Sequence, residues 1–297
     1  MSNKLRKMTL EKKHNLTGWA FLAPATFLIA VFSFWPMIKA LVLSFQTGKG
    51  RNMQMAGFTN YIRMFQDDVF IQSIKNTFFY FIIQVPIMLV VALVLACILN
   101  KKDLRFKGFF RTMIFVPCTT SLVAYSIIFR SLFANDGLVN YVLVNLGILD
   151  KPYNFLTQPF AAKIVIILAL LWRWTGYNMV FFLSGLQNIE YSVYEAAKID
   201  GASAIQTFFK ITVPLLKPTI LLTAIMSTNG TLQLFDESIN LTDGGPANAS
   251  ISMSHYIYNL CFKYVPNFGY AAAMSFFILL LVAVLAFIQM RVGDKRD

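Results

Sequence analysis

Two apolar stretches of the chain carry aromatic and polar side chains at spacings that suit the binding of a polar solute. Trp174, Tyr177 and Asn178 lie in the first stretch, and Ser227 and Thr231 lie in the second. Residues three or four apart share one face of a helix. Aromatic rings cover the C–H face of a sugar, while hydroxyls and amides bind its hydroxyl groups. These residues predict a sugar-sized site between the stretches, although the same residue types also pack membrane helices together.

A charged residue, Arg173, stands beside Trp174 inside the first stretch. A charge within a membrane is costly and is a functional candidate by default. Two interpretations stay open. Arg173 either borders the path of the substrate and contacts hydroxyls or an acidic sugar, or it pairs with a carboxylate or backbone carbonyl of a second subunit.

The composition is that of a membrane protein. Of the 297 residues, 57% are hydrophobic and 13% are charged, whereas soluble domains carry about 25% charged residues. Apolar runs of about 20 residues can cross a bilayer as helices, and their continuity argues against a β-barrel. We therefore expect an all-α polytopic membrane protein with six transmembrane helices, at 17–45, 77–99, 112–133, 161–183, 218–235 and 270–290.

The net charge of +12 comes largely from Lys and Arg clustered between the apolar runs. Such clusters are topology signals, so the expected partner is the lipid membrane and not nucleic acid. The residues of the predicted cytoplasmic clusters are Lys4, Arg6, Lys7, Lys12, Lys13, Lys101, Lys102, Arg105, Lys107, Arg111, Lys198, Lys210, Lys217, Arg291, Lys295 and Arg296. Both termini are thus predicted to be cytoplasmic, with an N-terminal segment at 1–16, a transmembrane domain at 17–290 and a C-terminal tail at 291–297.

The longest predicted cytoplasmic segment, 187–217, has the pattern of a helix–turn–helix. A short helical pattern ends at Gly201, helical patterning then resumes, and Pro214 and Pro218 close the segment before the fifth span. Glu195 offers a charge, and neighbouring aromatic and aliphatic residues offer apolar anchors. A docking surface for a partner protein needs this combination.

Several motifs resemble those of permease subunits of bacterial ABC importers. The segment 187–217 resembles their "EAA" loop through Glu195, Ala196, Ala197, Asp200, Gly201, Ile211 and Pro214. Val213 stands where the family has leucine. Leu241-Thr-Asp-Gly-Gly-Pro246 and Phe268-Gly-Tyr-Ala-Ala-Ala273 are further matches. Together they look like the maltose-transporter-type carbohydrate permeases, and the MalF-like members in particular.

This resemblance implies the type I permease fold of ABC importers and a complex of several proteins. The implied partners are a second homologous permease, two cytoplasmic ATPase subunits and an extracellular or periplasmic solute-binding protein, at the bacterial cytoplasmic (inner) membrane. The "EAA" residues would then couple to the ATPases. The substrate path would include Arg173, Trp174, Tyr177, Asn178, Ser227 and Thr231, and the implied activity is ATP-driven import of a sugar or oligosaccharide.

The sequence offers no chemistry for catalysis by this chain. It contains no Gly-x-x-x-x-Gly-Lys-Ser/Thr phosphate loop and no Gly-x-Ser-x-Gly, and its two histidines, His14 and His255, lack metal-ligand spacing. We expect no catalytic residue, metal or cofactor here, with ATP and Mg²⁺ on the ATPases. Two alternatives stay open. The first is a protein of the same architecture that imports glycerol phosphate or another non-sugar solute. The second is a secondary transporter, but the predicted spans have no Asp or Glu well inside them to bind a coupling ion.

Overall fold

The computed structural model describes residues 10–49, 52–101 and 103–293 of the protein. Much of the predicted topology signal lies outside the described residues. This holds for Lys4, Arg6, Lys7, Lys102, Lys295 and Arg296, and for the side chains of Lys12 and Lys13. The cytoplasmic location of both termini therefore stays a prediction.

The described part of the chain is mostly helical. Its helices, in chain order, are α1 (Leu10–Ile29), α2 (Trp35–Ser44), α3 (Thr59–Met64), α4 (Asp68–Leu99), α5 (Lys107–Thr119), α6 (Leu122–Leu132), α7 (Leu138–Asn145), α8 (Pro159–Gln187), α9 (Tyr191–Ile199), α10 (Ala204–Thr207), α11 (Val213–Leu215), α12 (Lys217–Leu232), α13 (Asp236–Thr242), α14 (Met253–Tyr258) and α15 (Phe268–Gly293). Single π-helical turns lie at Ala30–Phe34, Phe208–Thr212 and Asn259–Lys263. The structure also contains one feature that was not predicted, an antiparallel hairpin of β1 (Gln46–Lys49) and β2 (Asn52–Met55).

Four described helical stretches are long and apolar enough to cross a membrane: His14–Ser44, Asp68–Leu99, Pro159–Gln187 and Phe268–Gly293. Two bent helix pairs also pass the same test, Lys107–Thr119 with Leu122–Leu132 and Ala204–Leu215 with Lys217–Leu232. The predicted count of six is reached if each bent pair makes one span. The bend of 71° in the second pair lies between the two prolines that the sequence places there.

The third predicted span, 112–133, is not one helix. α5 ends at Thr119, α6 begins at Leu122, and the two are bent by 99°. Between them Thr120 and Ser121 have extended backbone, with ψ of 144° and 136°. The Thr120 carbonyl has no helical donor at this break, and the Arg173 side chain of α8 donates to it at 2.6 Å. A tertiary contact thus stabilises a break that composition does not reveal.

Helix α8 is the centre of the bundle and packs against α4, α5, α12 and α13. Its approach to α5 depends on Gly176. A Cβ atom at Gly176 would lie 1.9 Å from the Ile114 carbonyl oxygen. Small residues allow membrane helices to approach this closely, so Gly176 fixes how near α5 can lie to α8.

Asp67 ties the start of α4 to two distant elements. Its Oδ1 accepts from the backbone N–H groups of Val69 and Phe70, which caps α4. Its Oδ2 accepts from the hydroxyls of Tyr256 in α14 and Tyr270 in α15, each at 2.7 Å. Burial acts to raise the pKa of Asp67, but these hydrogen bonds outweigh it and the pKa lies below its usual value.

Candidate functional site

A cavity of about 510 Å³ opens between α4, α8 and α12, at the end where α13 begins. Its volume is within the range of small-molecule sites. It is lined by Gln84, Met88, Leu122, Leu170, Trp174, Tyr177, Asn178, Met226, Ser227, Gly230, Thr231, Gln233, Leu234, Phe235, Asp236 and Glu237. Five of the six residues proposed for a substrate path therefore line one cavity, and the sixth, Arg173, does not.

The aromatic part of the wall comes from α8. The rings of Trp174 and Tyr177 are in edge-to-face contact, with centroids 5.7 Å apart and an interplanar angle of 86°. Tyr177 also contacts Phe181 one turn further along. Trp174 and Tyr177 are only half-buried. They share one helix face, as their spacing predicts, and present aromatic surface to the cavity.

The polar part of the wall is a set of hydrogen bonds between three helices. Thr231 Oγ1 of α12 donates to Gln84 Oε1 of α4 at 2.9 Å. Ser227 Oγ of α12 donates to Asn178 Oδ1 of α8 at 3.2 Å, and Asn178 Nδ2 donates to the Trp174 carbonyl at 3.0 Å. Asn178 and Thr231 are nearly inaccessible, at 3% and 5% exposed. These side chains both line the cavity and hold its helices together, so the packing interpretation accounts for part of what they do.

Arg173 lies behind this wall. It is 6% exposed, its Nη1 donates to Thr120, and its guanidinium lies 4.8 Å from the Tyr125 ring centroid and 5.3 Å from that of Trp174. The partner is a backbone carbonyl, as one interpretation of Arg173 held. That carbonyl belongs to this chain, however, and a second subunit is not needed to supply it.

The lining residues that were not proposed from the sequence include one amide, Gln84, and two carboxylic acids, Asp236 and Glu237. Glu237 is 4% exposed and accepts a hydrogen bond from the Tyr125 hydroxyl. Burial raises the pKa of Glu237, although the bond from Tyr125 and the charge of Arg173 act in the opposite direction. A glutamine inside an apolar run was a usable signal for Gln84. Asp236 and Glu237 lie just beyond the predicted fifth span, and their entry into the cavity depends on the turn between α12 and α13.

The segment 187–217 forms the predicted helix–turn–helix. α9 ends before Gly201, whose φ of +75° is left-handed and suits glycine. The N–H of Ala202 donates to the Ala197 carbonyl at 2.9 Å, and Ser203 begins α10 with a capping box completed by Gln206. Both the turn and the restart therefore follow from local sequence.

The residues predicted to couple to an ATPase differ in exposure. Glu195, Ala196, Asp200, Gly201 and Pro214 are exposed, Ile211 is half-buried, and Ala197 is buried at 6%. Large apolar side chains also face outward from this segment. Ile199, Ile205 and Phe209 are 85%, 72% and 65% exposed. The loop thus presents charge and apolar surface together, which are the components of a protein interface.

A second structured segment, 241–255, folds over a buried histidine. His255 is fully buried, its Nδ1 lies 2.9 Å from Ser238 Oγ, and its Nε2 lies 3.7 Å from Asp243. Asp243 also accepts from Lys263 Nζ at 2.8 Å. Burial lowers the pKa of His255 to about 4, against the opposing charge of Asp243. His255 is therefore neutral at pH 7. Within the described residues no group of three or more His, Cys, Asp or Glu could hold a metal ion.

Comparison with known families gives one match over most of the chain. The model described as "Binding-protein-dependent transport system inner membrane component" matches residues 70–296. That range includes the cavity residues and the helix–turn–helix of 187–217.

Comparison with curated proteins gives relatives along almost the whole length. The chain is 51% identical over 292 residues to the lactose transport system permease protein LacF of Rhizobium radiobacter, covering 98% of each chain. It is 31% identical over 280 residues to the arabinooligosaccharides transport system permease protein AraP of Bacillus subtilis, covering 93% of this chain and 88% of the relative. It is 34% identical over 291 residues to the multiple sugar-binding transport system permease protein MsmF of Streptococcus mutans, covering 97% and 99%.

A solved structure has the same fold. It is the bacterial alginate ABC transporter in complex with an alginate pentasaccharide-bound periplasmic protein, one chain of which superposes with a TM-score of 0.83 at 25% identity. The superposition covers 96% of both chains.

Proposed function

This chain belongs to the binding-protein-dependent transport system inner membrane components, and we propose that it is the permease subunit of an ATP-driven importer of a sugar or oligosaccharide. The observation that carries the proposal is the cavity between α4, α8 and α12, with its half-buried aromatic rings beside amides and hydroxyls. Such a lining suits a polyhydroxylated solute. The names of the relatives support a carbohydrate as that solute.

We further propose that this subunit acts within the assembly that the family resemblance implies. A second permease would complete the translocation path, two ATPase subunits would bind the segment 187–217, and a solute-binding protein would deliver the sugar. The absence of a phosphate loop from the sequence supports the proposal that ATP and Mg²⁺ would bind to the ATPase subunits and that this chain would be a non-catalytic subunit. The site of action would be the bacterial cytoplasmic membrane.

Coupling in this scheme is mechanical. Closure of the ATPase pair would move α9 and its neighbours as a unit, and the bend between α11 and α12 would pass that movement to the cavity wall. Two global states, each favoured by a different nucleotide condition, would then alternate access to the cavity.

The experiment is transport of labelled lactose by the assembled importer in proteoliposomes, with its solute-binding protein present. Tyr177→Ala removes an aromatic surface from the cavity. We expect uptake to fall by up to about tenfold, since one aromatic contact is typically worth about 0.5 to 1.5 kcal/mol. ATP hydrolysis should still respond to the binding protein. Tyr141→Ala, at an exposed tyrosine of α7 outside the cavity, is the matched control and should transport normally.

Wild-type uptake with unchanged substrate preference in both Tyr177→Ala and Ser227→Ala would contradict the cavity assignment. In that case the two residues serve only to pack α8 and α12.

A further inference from the structure

The cavity has charge of one sign only. Asp236 and Glu237 are among its lining residues, and none of the described residues that line it is Lys, Arg or His. The rest of the polar lining is neutral amide and hydroxyl. An anionic group entering the cavity would therefore meet carboxyl groups and no cation.

Arg173 is a cation close enough for its charge to favour the ionised form of Glu237, but its hydrogen bond goes to another group. Its Nη1 is bonded to the Thr120 carbonyl, and the guanidinium lies against the rings of Tyr125 and Trp174. It is buried and lies behind the wall. Moving it into the cavity would leave the part-buried Thr120 carbonyl at the α5–α6 break without its donor, and an acceptor that loses its partner lowers stability.

The two carboxyl groups are held differently. Glu237 is buried and accepts from the Tyr125 hydroxyl, so its position is fixed by α6. Asp236 opens α13 and is half-exposed. Burial raises the pKa of Glu237 and so disfavours its ionised form. Asp236 is the more accessible of the two carboxyl groups. Both groups can accept hydrogen bonds from sugar hydroxyls, and those to an ionised carboxylate are the stronger kind.

We propose that Asp236 and Glu237 make this cavity selective for neutral sugars over sugars that carry a carboxylate or sulfonate. This inference rests on the proposed function, because it takes the cavity as part of the sugar path. Like charges about 6 Å apart at a protein site repel strongly enough to disfavour an acidic sugar by about ten- to a hundredfold. The neutral sugar loses nothing, since its hydroxyls donate to the same carboxyl groups.

The test measures sugar binding to the assembled transporter in lipid nanodiscs without its solute-binding protein, so that the selectivity of that protein does not intervene. Saturation-transfer NMR detects weak binding, and the probes are methyl β-galactoside and methyl β-galacturonide, which differ only at C6. Wild type should bind the neutral probe at least about tenfold more tightly. The double variant Asp236→Asn/Glu237→Gln should reduce this ratio to about threefold or less, with neutral binding changed by less than about twofold.

The single variants show how much each of the two carboxyl groups contributes to the selectivity. Asp236→Asn should account for more of the change than Glu237→Gln, which keeps an acceptor for Tyr125. The matched control is Asp136→Asn/Asp150→Asn, which removes the same two charges from exposed positions outside the cavity and should leave the ratio at its wild-type value.

The outcomes separate this inference from the proposed function. Equal binding of both probes by wild type, or an equal effect of the control variant, overturns charge selection and leaves the sugar path standing. Binding of neither probe overturns the assignment of the cavity to the sugar path, and the selectivity inference falls with it.

Discussion

The cavity wall and the segment 187–217 hold their candidate residues in opposite environments. In the wall, Asn178 and Thr231 are almost inaccessible and bonded to neighbouring helices, Asn178 through Ser227 and Thr231 through Gln84. In the segment, Glu195 and Asp200 are exposed. A buried, bonded residue contributes to stability whatever else it does, whereas an exposed one is free to change with little cost to the fold. Mutations in the two regions should therefore separate stability from coupling.

The largest effect is expected at the exposed region and should leave the fold intact. Glu195→Lys reverses the charge that we propose to bind an ATPase subunit. Loss of one partner of a buried interfacial charge pair costs about 2 to 5 kcal/mol, so uptake should be abolished. The measurement is transport together with co-purification of the ATPase. Asp103→Lys, at another exposed acid outside the segment, is the control. Normal uptake by Glu195→Lys would remove the basis for a coupling role.

In the bundle, the largest effect should come from Gly176. A Cβ there would overlap the Ile114 carbonyl, so Gly176→Ala must push α5 away from α8. Overpacking against backbone costs about 3 kcal/mol, and the amount of folded protein in the membrane should fall. Gly108→Ala is the control, because a Cβ at Gly108 in α5 meets nothing within 4 Å. If both variants accumulate equally, the packing account of the α5–α8 contact is wrong.

A smaller effect is expected for a polar wall residue. Thr231→Val keeps the shape of the side chain but removes the donor to Gln84, leaving a buried acceptor without its partner. The expected loss of stability is about 1 to 3 kcal/mol, measured by thermal unfolding of the purified protein in nanodiscs. Thr231→Ser retains the donor and should lie closer to wild type. Unchanged stability in Thr231→Val would contradict a stabilising role for the bond from Thr231 to Gln84.

The smallest effect concerns pH and the buried histidine. The pKa of His255 falls from 6.5 to about 4 on burial, so the folded protein favours the neutral ring. The neutral ring makes its full contribution to the free energy of unfolding above about pH 6.5. This contribution is lost as the pH falls from there toward about 4, because the unfolded chain then takes up a proton that the folded protein does not. Between pH 7.5 and pH 6 the loss should be about 1 kcal/mol.

Hydrogen exchange of residues 241–255 should report this loss as faster exchange at pH 6, after correction for the intrinsic rate. The segment 187–217 contains no histidine and serves as the internal reference. A His255→Asn variant should show no such difference between the two regions. Equal acceleration in both regions of the wild-type protein would rule out His255 as the cause.

Local sequence accounts for the segment 187–217 better than for the cavity. Gly201, Ser203 and Gln206 specify the turn and the restart of the helix within a few residues. The cavity instead joins Gln84 to Thr231 across 147 positions. A single sequence shows that both are polar residues at or near apolar runs, but it does not show that they meet.

Arg173 and Glu237 show the same limit. The sequence alone identified Arg173 as a costly charge within a span, and the structure confirms that it is buried. The sequence did not determine its partner, because the Thr120 carbonyl becomes available only where α5 and α6 break by 99°. Glu237 was missed because it follows the fifth predicted span, and α13 returns it to the cavity.

The sequence by itself determined that this is an apolar helical membrane protein, roughly where its helices run, and that 187–217 is a helix–turn–helix. Those properties follow from composition, from the length of apolar runs and from local capping and turn residues, which act over a few positions. Tertiary structure decided which side chains line the cavity, which are occupied in holding it together, and that Arg173 stays behind its wall. These depend on contacts between helices far apart in sequence, where hydrogen bonds and close packing have no local signal.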